Sequence, residues 1–163
     1  FGKRYHVNFY TLGKVEPADR LAAVLASLDY GIELHREPAK HCLDGYGVGP
    51  DAYDLWINTV PTNGSKHGNW WNGVVWAECR EMAAKYMTEI GEAYPAVSAP
   101  CAQLSSAYEE IGEALRKASD KKLGADEKIE LLKQTKALEA ATVTTLEQLA
   151  AALRAVAPDD STP

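Results

Sequence analysis

Hydrophobic positions recur at steps of three and four through most of this chain, and one stretch sets the pattern. Between His67 and Ile90 the run HGNWWNGVVWAECREMAAKYMTEI places Trp71, Val75, Cys79, Met82, Tyr86 and Ile90 on one helical stripe. Trp70, Val74 and Ala77 widen it, and a helix this apolar is expected at the centre of a bundle, covered on most sides. Upstream, Pro17 is placed to open a helix with Asp19 in its first turn. Leu21, Val24, Leu25, Leu28 and Ile32 form its buried face, and Pro38 stops it. A glycine-bearing loop to Pro50 leads into a short helix that carries Tyr53, Trp56, Ile57 and Val60 and ends at Pro61 and the Thr62–Ser65 turn. Asn69 is the expected cap of the long helix, which breaks at Tyr94-Pro95. Ser98 is the expected cap of a fourth helix with the stripe Cys101, Leu104, Tyr108, Ile111 and Leu115, closed by Arg116 and Lys117. After Gly124 a fifth helix runs to Pro158. Its seam of Leu131, Thr135, Leu138, Thr142, Leu146, Leu149, Leu153 and Val156 is narrow enough for a partner helix.

The exception to helical spacing is Lys3–Leu12, where Tyr5, Val7 and Phe9 alternate with His6, Asn8 and Tyr10. That is a strand pattern, and Gly13 ends it. A lone strand leaves its backbone groups unpaired, so its partners are expected in a missing N-terminal domain or a partner subunit. The fold expected is mainly α, about a five-helix bundle with one N-terminal β-segment. Residues 1–14 form the extended strand, 15–157 the helical domain and 158–163 a flexible tail.

Composition narrows the function. A hydrophobic content of 46% and a charged content of 25% suit a globular chain of one domain. The formal net charge of -6 argues against a nucleic-acid surface. No segment is long and pure enough to span a membrane. Residue 1 is Phe, which suggests a processed, trimmed or partial chain. Three scattered cysteines, Cys42, Cys79 and Cys101, make no disulfide framework, and a cytoplasmic setting is the simpler reading.

Three tryptophans, Trp70, Trp71 and Trp76, crowd the start of the long helix beside His67, Asn69 and Asn72. Unpaired N–H groups at a helix start attract anions or polar ligands. Tyr46, Tyr53, Trp56, Trp70 and Trp71 suggest an aromatic pocket for a small molecule, with His67, Asn69 and Asn72 as its polar groups; core packing plus a helix cap is the alternative. The Gly45-Tyr46-Gly47-Val48-Gly49 loop lacks the strand and spacing of a dinucleotide fingerprint and the Lys-Ser/Thr of a P-loop, so a turn explains it better. His35, His41, Cys42, Asp44 and His67 match no zinc spacing, and no metal or cofactor is expected. His41 and Cys42, adjacent on an extended chain, point to opposite sides, so no catalytic residue is assigned. Glu78 and Arg80 read as solvated or paired charges, as do Glu81 and Lys85 at the favourable i, i+4 spacing. Glu78 would matter only if buried.

The run GPDAYDLWINTV (49–60), followed by HGNWWNGVVWAECREMAAKYM (67–87) and preceded by DRLAAVLASLDYGIEL (19–34), resembles the C-terminal helical region of the butirosin biosynthesis protein H family, over about residues 5 to 120. The resemblance implies a two-part architecture in which an N-terminal papain-like domain carries a cysteine nucleophile. The butirosin member moves an acyl group from a carrier protein to an aminoglycoside amine. Cys42 does not match that nucleophile, so the architecture transfers and the chemistry does not. The positions that carry over as a polar and aromatic set are His67, Asn69, Asn72 and Glu78, with Tyr53 and Trp56 nearby.

The expectation is therefore a helical substrate-binding or lid region of a two-part acyltransferase or peptidase-like protein. Its small-molecule pocket would be formed by Tyr53, Trp56, His67, Asn69, Trp70, Trp71, Asn72 and Glu78. The alternative is a non-catalytic interaction or oligomerisation module, whose last helix pairs with a partner or a second copy in a homo-oligomer through Leu146, Leu149 and Leu153.

Overall fold

Asp19 sets where the first helix begins. Its carboxylate accepts from the Ala22 N–H at 2.7 Å, so α1 spans Arg20–Arg36 and Asp19 is its cap, with Pro17 outside. The computed structural model describes Gly13 and residues 16–156. The strand expected over Lys3–Leu12 and the tail 158–163 lie outside the described residues. Among those described there are four more helices: α2 Pro50–Asn63, α3 His67–Ala93, α4 Ser98–Ser119 and α5 Ala125–Val156. Short 3₁₀ turns occupy Pro38–His41 and Pro95–Val97, and no strand is present among the described residues. The bundle is mainly α with five helices, as the periodicity indicated.

Besides the start of α1, three boundaries differ from expectation. Pro61 lies inside α2 rather than ending it, because the turn beyond it is held: the Gly64 N–H bonds the Val60 carbonyl at 2.8 Å, and Val60 is buried. Asn69 is the third residue of α3, not its cap. Lys66 holds the cap position without a capping side chain, and the Asn69 amide is engaged by Trp56 instead. Ser98 is the first residue of α4 and makes no cap bond, since the 3₁₀ turn at Pro95–Val97 leads directly into the helix.

The larger correction concerns which face of α3 is buried. Trp71, Val75, Cys79 and Met82 are exposed, with Trp71 at 56% and Met82 at 60%. The inward face is Gly73, Ala77, Ala84, Met87 and Ile90. α3 and α4 run antiparallel and approach closely along small residues. A Cβ on Gly73 would stand 2.7 Å from the Ser119 Cβ, one on Gly112 3.4 Å from the Ala77 carbonyl oxygen, and one on Gly91 3.1 Å from the Cys101 Cβ. Large side chains would hold the helices apart, so at these close approaches α3 presents small residues to α4, and Trp71, Val75 and Met82 lie outward while Met87 and Ile90 enter the core. The helix is correspondingly not central. α5 packs on α1, α2 and α4, while α3 packs chiefly on α4.

The α4 stripe is as read: Cys101, Leu104, Ile111 and Leu115 are at most 1% exposed and Tyr108 is buried. Burying one such aliphatic side chain is worth about 1.5–3 kcal/mol, so this stripe is a principal source of cohesion. The α5 seam is occupied within the chain. Thr135, Thr142, Leu146, Leu149 and Leu153 are buried, Leu131 and Leu138 pack partly buried against the common core, and only Val156 at the end of the helix is exposed. α1 lies antiparallel on α5, with Arg36 paired to Glu147 at 2.8 Å and Arg154 to Asp29 at 2.5 Å. Lys136 joins α5 to Asp54 of α2 at 2.6 Å. Glu81 pairs with Arg116 of α4 rather than with Lys85. Exposed pairs of this kind contribute about 0–1 kcal/mol each and fix register more than stability. No helix of the described residues is long and apolar enough to cross a membrane.

Candidate functional site

A cleft of about 490 Å³ opens between α2, the 45–47 segment of the preceding loop and the first turns of α3. Helical spacing explains which side chains meet there. Asn69, Asn72 and Trp76 are three and four residues apart, so they share one face of α3, and all three line the cleft. Trp56 and Thr59 reach it from α2, and Tyr46 stands at the rim, 74% exposed. The rings are held edge to face. Trp76 meets Trp56 at 5.4 Å between centroids and 89°, and Tyr53 at 5.9 Å and 68°. The indole N–H of Trp56 donates to Asn69 Oδ1 at 2.5 Å, which locks the two helices and orients the amide. Asn69 Nδ2 is then left buried without a partner. An unpaired buried donor costs about 1–3 kcal/mol, so this amide is a point of stored demand beside the cleft.

The loop that closes one side is built from glycine for steric reasons. Gly45 and Gly49 have φ of +82° and +56°, the left-handed region. A Cβ on Gly47 would lie 2.7 Å from the Ala52 backbone nitrogen. The loop is thus pressed onto the first turn of α2. The Cys42 thiol donates to the Tyr46 carbonyl oxygen at 2.7 Å, and His41 stacks edge-on with Tyr30 at 5.3 Å. Neither faces the other as a nucleophile and base. No group of three metal-capable side chains occurs among the described residues.

Behind Trp76 the cleft rests on a buried polar cluster. Arg80, one turn along α3, is bonded to Glu139 of α5, which is 2% exposed. Tyr53, Tyr108 and His35 surround the pair. Burial pushes the Tyr53 hydroxyl well above the usual phenol range, with the Glu139 charge adding to it. Burial also raises Tyr108, against the pull of Arg80. Burial lowers His35, assisted by Arg80 and Arg36 and opposed by Glu139. Burial is the largest single influence on Arg80 and works against its charge, but Glu139 together with Tyr53 and Tyr108 makes the net shift upward. The Tyr53 hydroxyl has no hydrogen-bond partner, although Glu139 is the charge nearest it in effect.

Of the residues expected to form the pocket, Tyr46, Trp56, Asn69 and Asn72 line it, and Tyr53 supports its floor through Trp76. His67, Trp70 and Trp71 do not. They cluster with one another, His67 stacked with Trp71 at 6.4 Å and tilted against Trp70 at 5.1 Å, with the Lys121 ammonium 5.3 Å over Trp70. Adjacency in sequence grouped these rings with the site, whereas the 100° step of a helix turns Trp70 and Trp71 away from the face of Asn69 and Trp76. Glu78 is exposed and outside the cleft. Lys66, Thr59 and Trp76 belong to the lining and were not in the expected set. The i, i+3, i+7 spacing from Asn69 through Asn72 to Trp76 was the signal for the last.

No protein-family model, curated protein or solved structure matches the chain.

Proposed function

We propose that this helical bundle is a small-molecule-binding region, the substrate-binding or lid part of a two-part acyltransferase or peptidase-like protein. The observation that carries the binding reading is the cleft itself: about 490 Å³, walled by Trp56 and Trp76, with the buried, unpartnered Nδ2 of Asn69 beside it. A ligand site of this size, mostly apolar with few placed polar groups, is the usual form of a small-molecule pocket. The two-part architecture is supported by the resemblance of residues 49–60 and 67–87 to the butirosin biosynthesis protein H family. The reading gives Cys42 no catalytic role, since its thiol is tied to the Tyr46 carbonyl oxygen. The reacting cysteine would belong to the other part.

Thermal unfolding in the presence of N-acetylcysteamine thioesters of graded acyl length and of a set of primary amines tests the proposal. A ligand at about a hundred times its Kd adds about 2.7 kcal/mol, which raises Tm by several degrees in a chain of this size. A shift that Trp76→Ala abolishes supports the reading. Absence of any shift across the panel counts against a binding role.

A further inference from the structure

The charge around the cleft differs from that of the rest of the molecule. The chain carries 23 Asp and Glu against 17 Lys and Arg, yet none of the residues lining the cleft is acidic. The one charged side chain among them is Lys66, which forms no ion pair among the described residues. Lys66 also holds the cap position of α3, a helix of 27 residues whose start has no capping side chain. The first free N–H to be satisfied within the helix is that of Trp70, which bonds the Lys66 carbonyl at 3.3 Å, so the N–H groups of Gly68 and Asn69 at the cleft have no intrahelical acceptor. An ammonium and two helix-start N–H groups therefore belong to one lining, beside the Trp56–Asn69 hydrogen bond and the Trp76 ring. An ammonium ligand would find no carboxylate there and would oppose both Lys66 and the positive end of the helix dipole.

We infer that the cleft selects a small anion, a carboxylate on a flat or chain-like apolar body, rather than an amine. The apolar body lies against the wall formed by Trp56 and Trp76, and the carboxylate faces Lys66 and the start of α3. This rests on the reading of the cleft as a binding site and adds the sign of its ligand.

A matched set of phenylbutyrate, phenylbutyramide and phenylbutylamine, titrated calorimetrically into the full chain, separates the two claims. Charge-assisted hydrogen bonds are worth about 1.5–3 kcal/mol, so the acid is expected to bind about tenfold or more tighter than the amine. Lys66→Ala should remove most of that preference of acid over amine, while Lys66→Arg should retain it. Lys66 is exposed and its backbone bonds survive both substitutions, so the fold is not at issue. Amine binding equal to or tighter than acid binding would overturn the selectivity and leave the cleft as a neutral or cation site. An acid preference that Lys66→Ala does not reduce would overturn the assignment to Lys66. If none of the three binds and the thioester and amine panel is also silent, the binding role itself falls.

Discussion

Arg80 of α3 and Glu139 of α5 form an ion pair in the interior, with Nε and Nη2 of the arginine directed at one carboxylate oxygen. The two helices share little direct packing, so these long side chains span the space between them. Tyr53 from α2, Tyr108 from α4 and His35 from α1 face the same pair, which makes it a point where all five helices meet. It also stands behind the Tyr53–Trp76 contact that supports the cleft.

Removing Arg80 leaves the Glu139 carboxylate charged and buried, whereas removing Glu139 leaves an Arg80 side chain that still reaches solvent, 28% exposed. Arg80→Met should lower stability by about 3–5 kcal/mol and Glu139→Leu by less, while the double variant should recover much of the Arg80→Met loss. Urea denaturation of the four proteins, taken as a double-mutant cycle, checks it. Additive losses would mean that the two side chains are not coupled.

Stability should fall on both sides of neutrality. His35 has a folded pKa below its ordinary value of 6.5 because burial penalises the cation. Between those two values the unfolded chain binds more protons than the folded one, so stability drops as pH falls below about 6.5, by at most about 1.4 kcal/mol per pH unit. Tyr53 and Tyr108 are raised above the ordinary 10.0, so the unfolded chain loses their protons first and stability drops as pH rises above that value. Urea midpoints measured across the pH range report both slopes. His35→Gln should flatten the acid limb, and Tyr53→Phe should reduce the alkaline one. Because the Tyr53 hydroxyl has no hydrogen-bond partner, Tyr53→Phe should cost little at neutral pH.

Lys128 is fully buried, and its ammonium donates to the carbonyl oxygens of Gly64 at 2.6 Å and Asp120 at 2.9 Å. It thereby ties the ends of α2 and α4 to the first turns of α5. Burial lowers its pKa, and Asp120 acts in the opposite direction. Lys128→Met keeps the apolar stem but leaves two carbonyls unsatisfied, and a loss of about 2–4 kcal/mol is expected by chemical denaturation. A loss within about 0.5 kcal/mol, the range of ordinary surface changes, would contradict this role.

Gly73→Ala tests the close approach of α3 and α4. The new methyl would meet the Ser119 Cβ at 2.7 Å, with the Trp56 ring 3.2 Å away. Overpacking of this kind costs about 1–3 kcal/mol, and Ser119→Gly in the same chain should restore part of it. Because Trp56 is one of the walls, Gly73→Ala should also weaken ligand binding, whereas alanine at the unobstructed Gly68 should leave the core intact.

The helices were legible in the sequence where large apolar side chains face a shared core. The α4 stripe from Cys101 to Leu115 is the clearest case, every member being buried. The same rule misassigned α3, because its contact with α4 selects glycine and alanine and leaves Trp71, Val75 and Met82 outside. Hydrophobic periodicity reports where large residues lie, and a close helix pair reverses the usual inference. Arg80 and Glu139 lie 59 residues apart on separate helices, so each alone reads as a solvated charge. Lys128 gave no sign either, since a lysine in the first turns of an amphipathic helix normally faces water. The site was half legible. Trp56, Asn69 and Asn72 were identified as aromatic and amide groups near a helix start, but their separation from Trp70 and Trp71 follows only from the helical step that also brings in Trp76.

The indole N–H signal of Trp56, followed by ¹H–¹⁵N correlation spectra during titration with phenylbutyrate and with an octanoyl N-acetylcysteamine thioester, tests the cleft most directly. That N–H bonds Asn69 at the wall of the cleft, so an occupant should move it together with the amides of Asn69 and Asn72. The Trp70 and Trp71 indole signals should stay in place. Movement confined to Trp70 and Trp71, or an unchanged Trp56 signal at saturating concentrations of both compounds, would contradict a ligand site between α2 and α3.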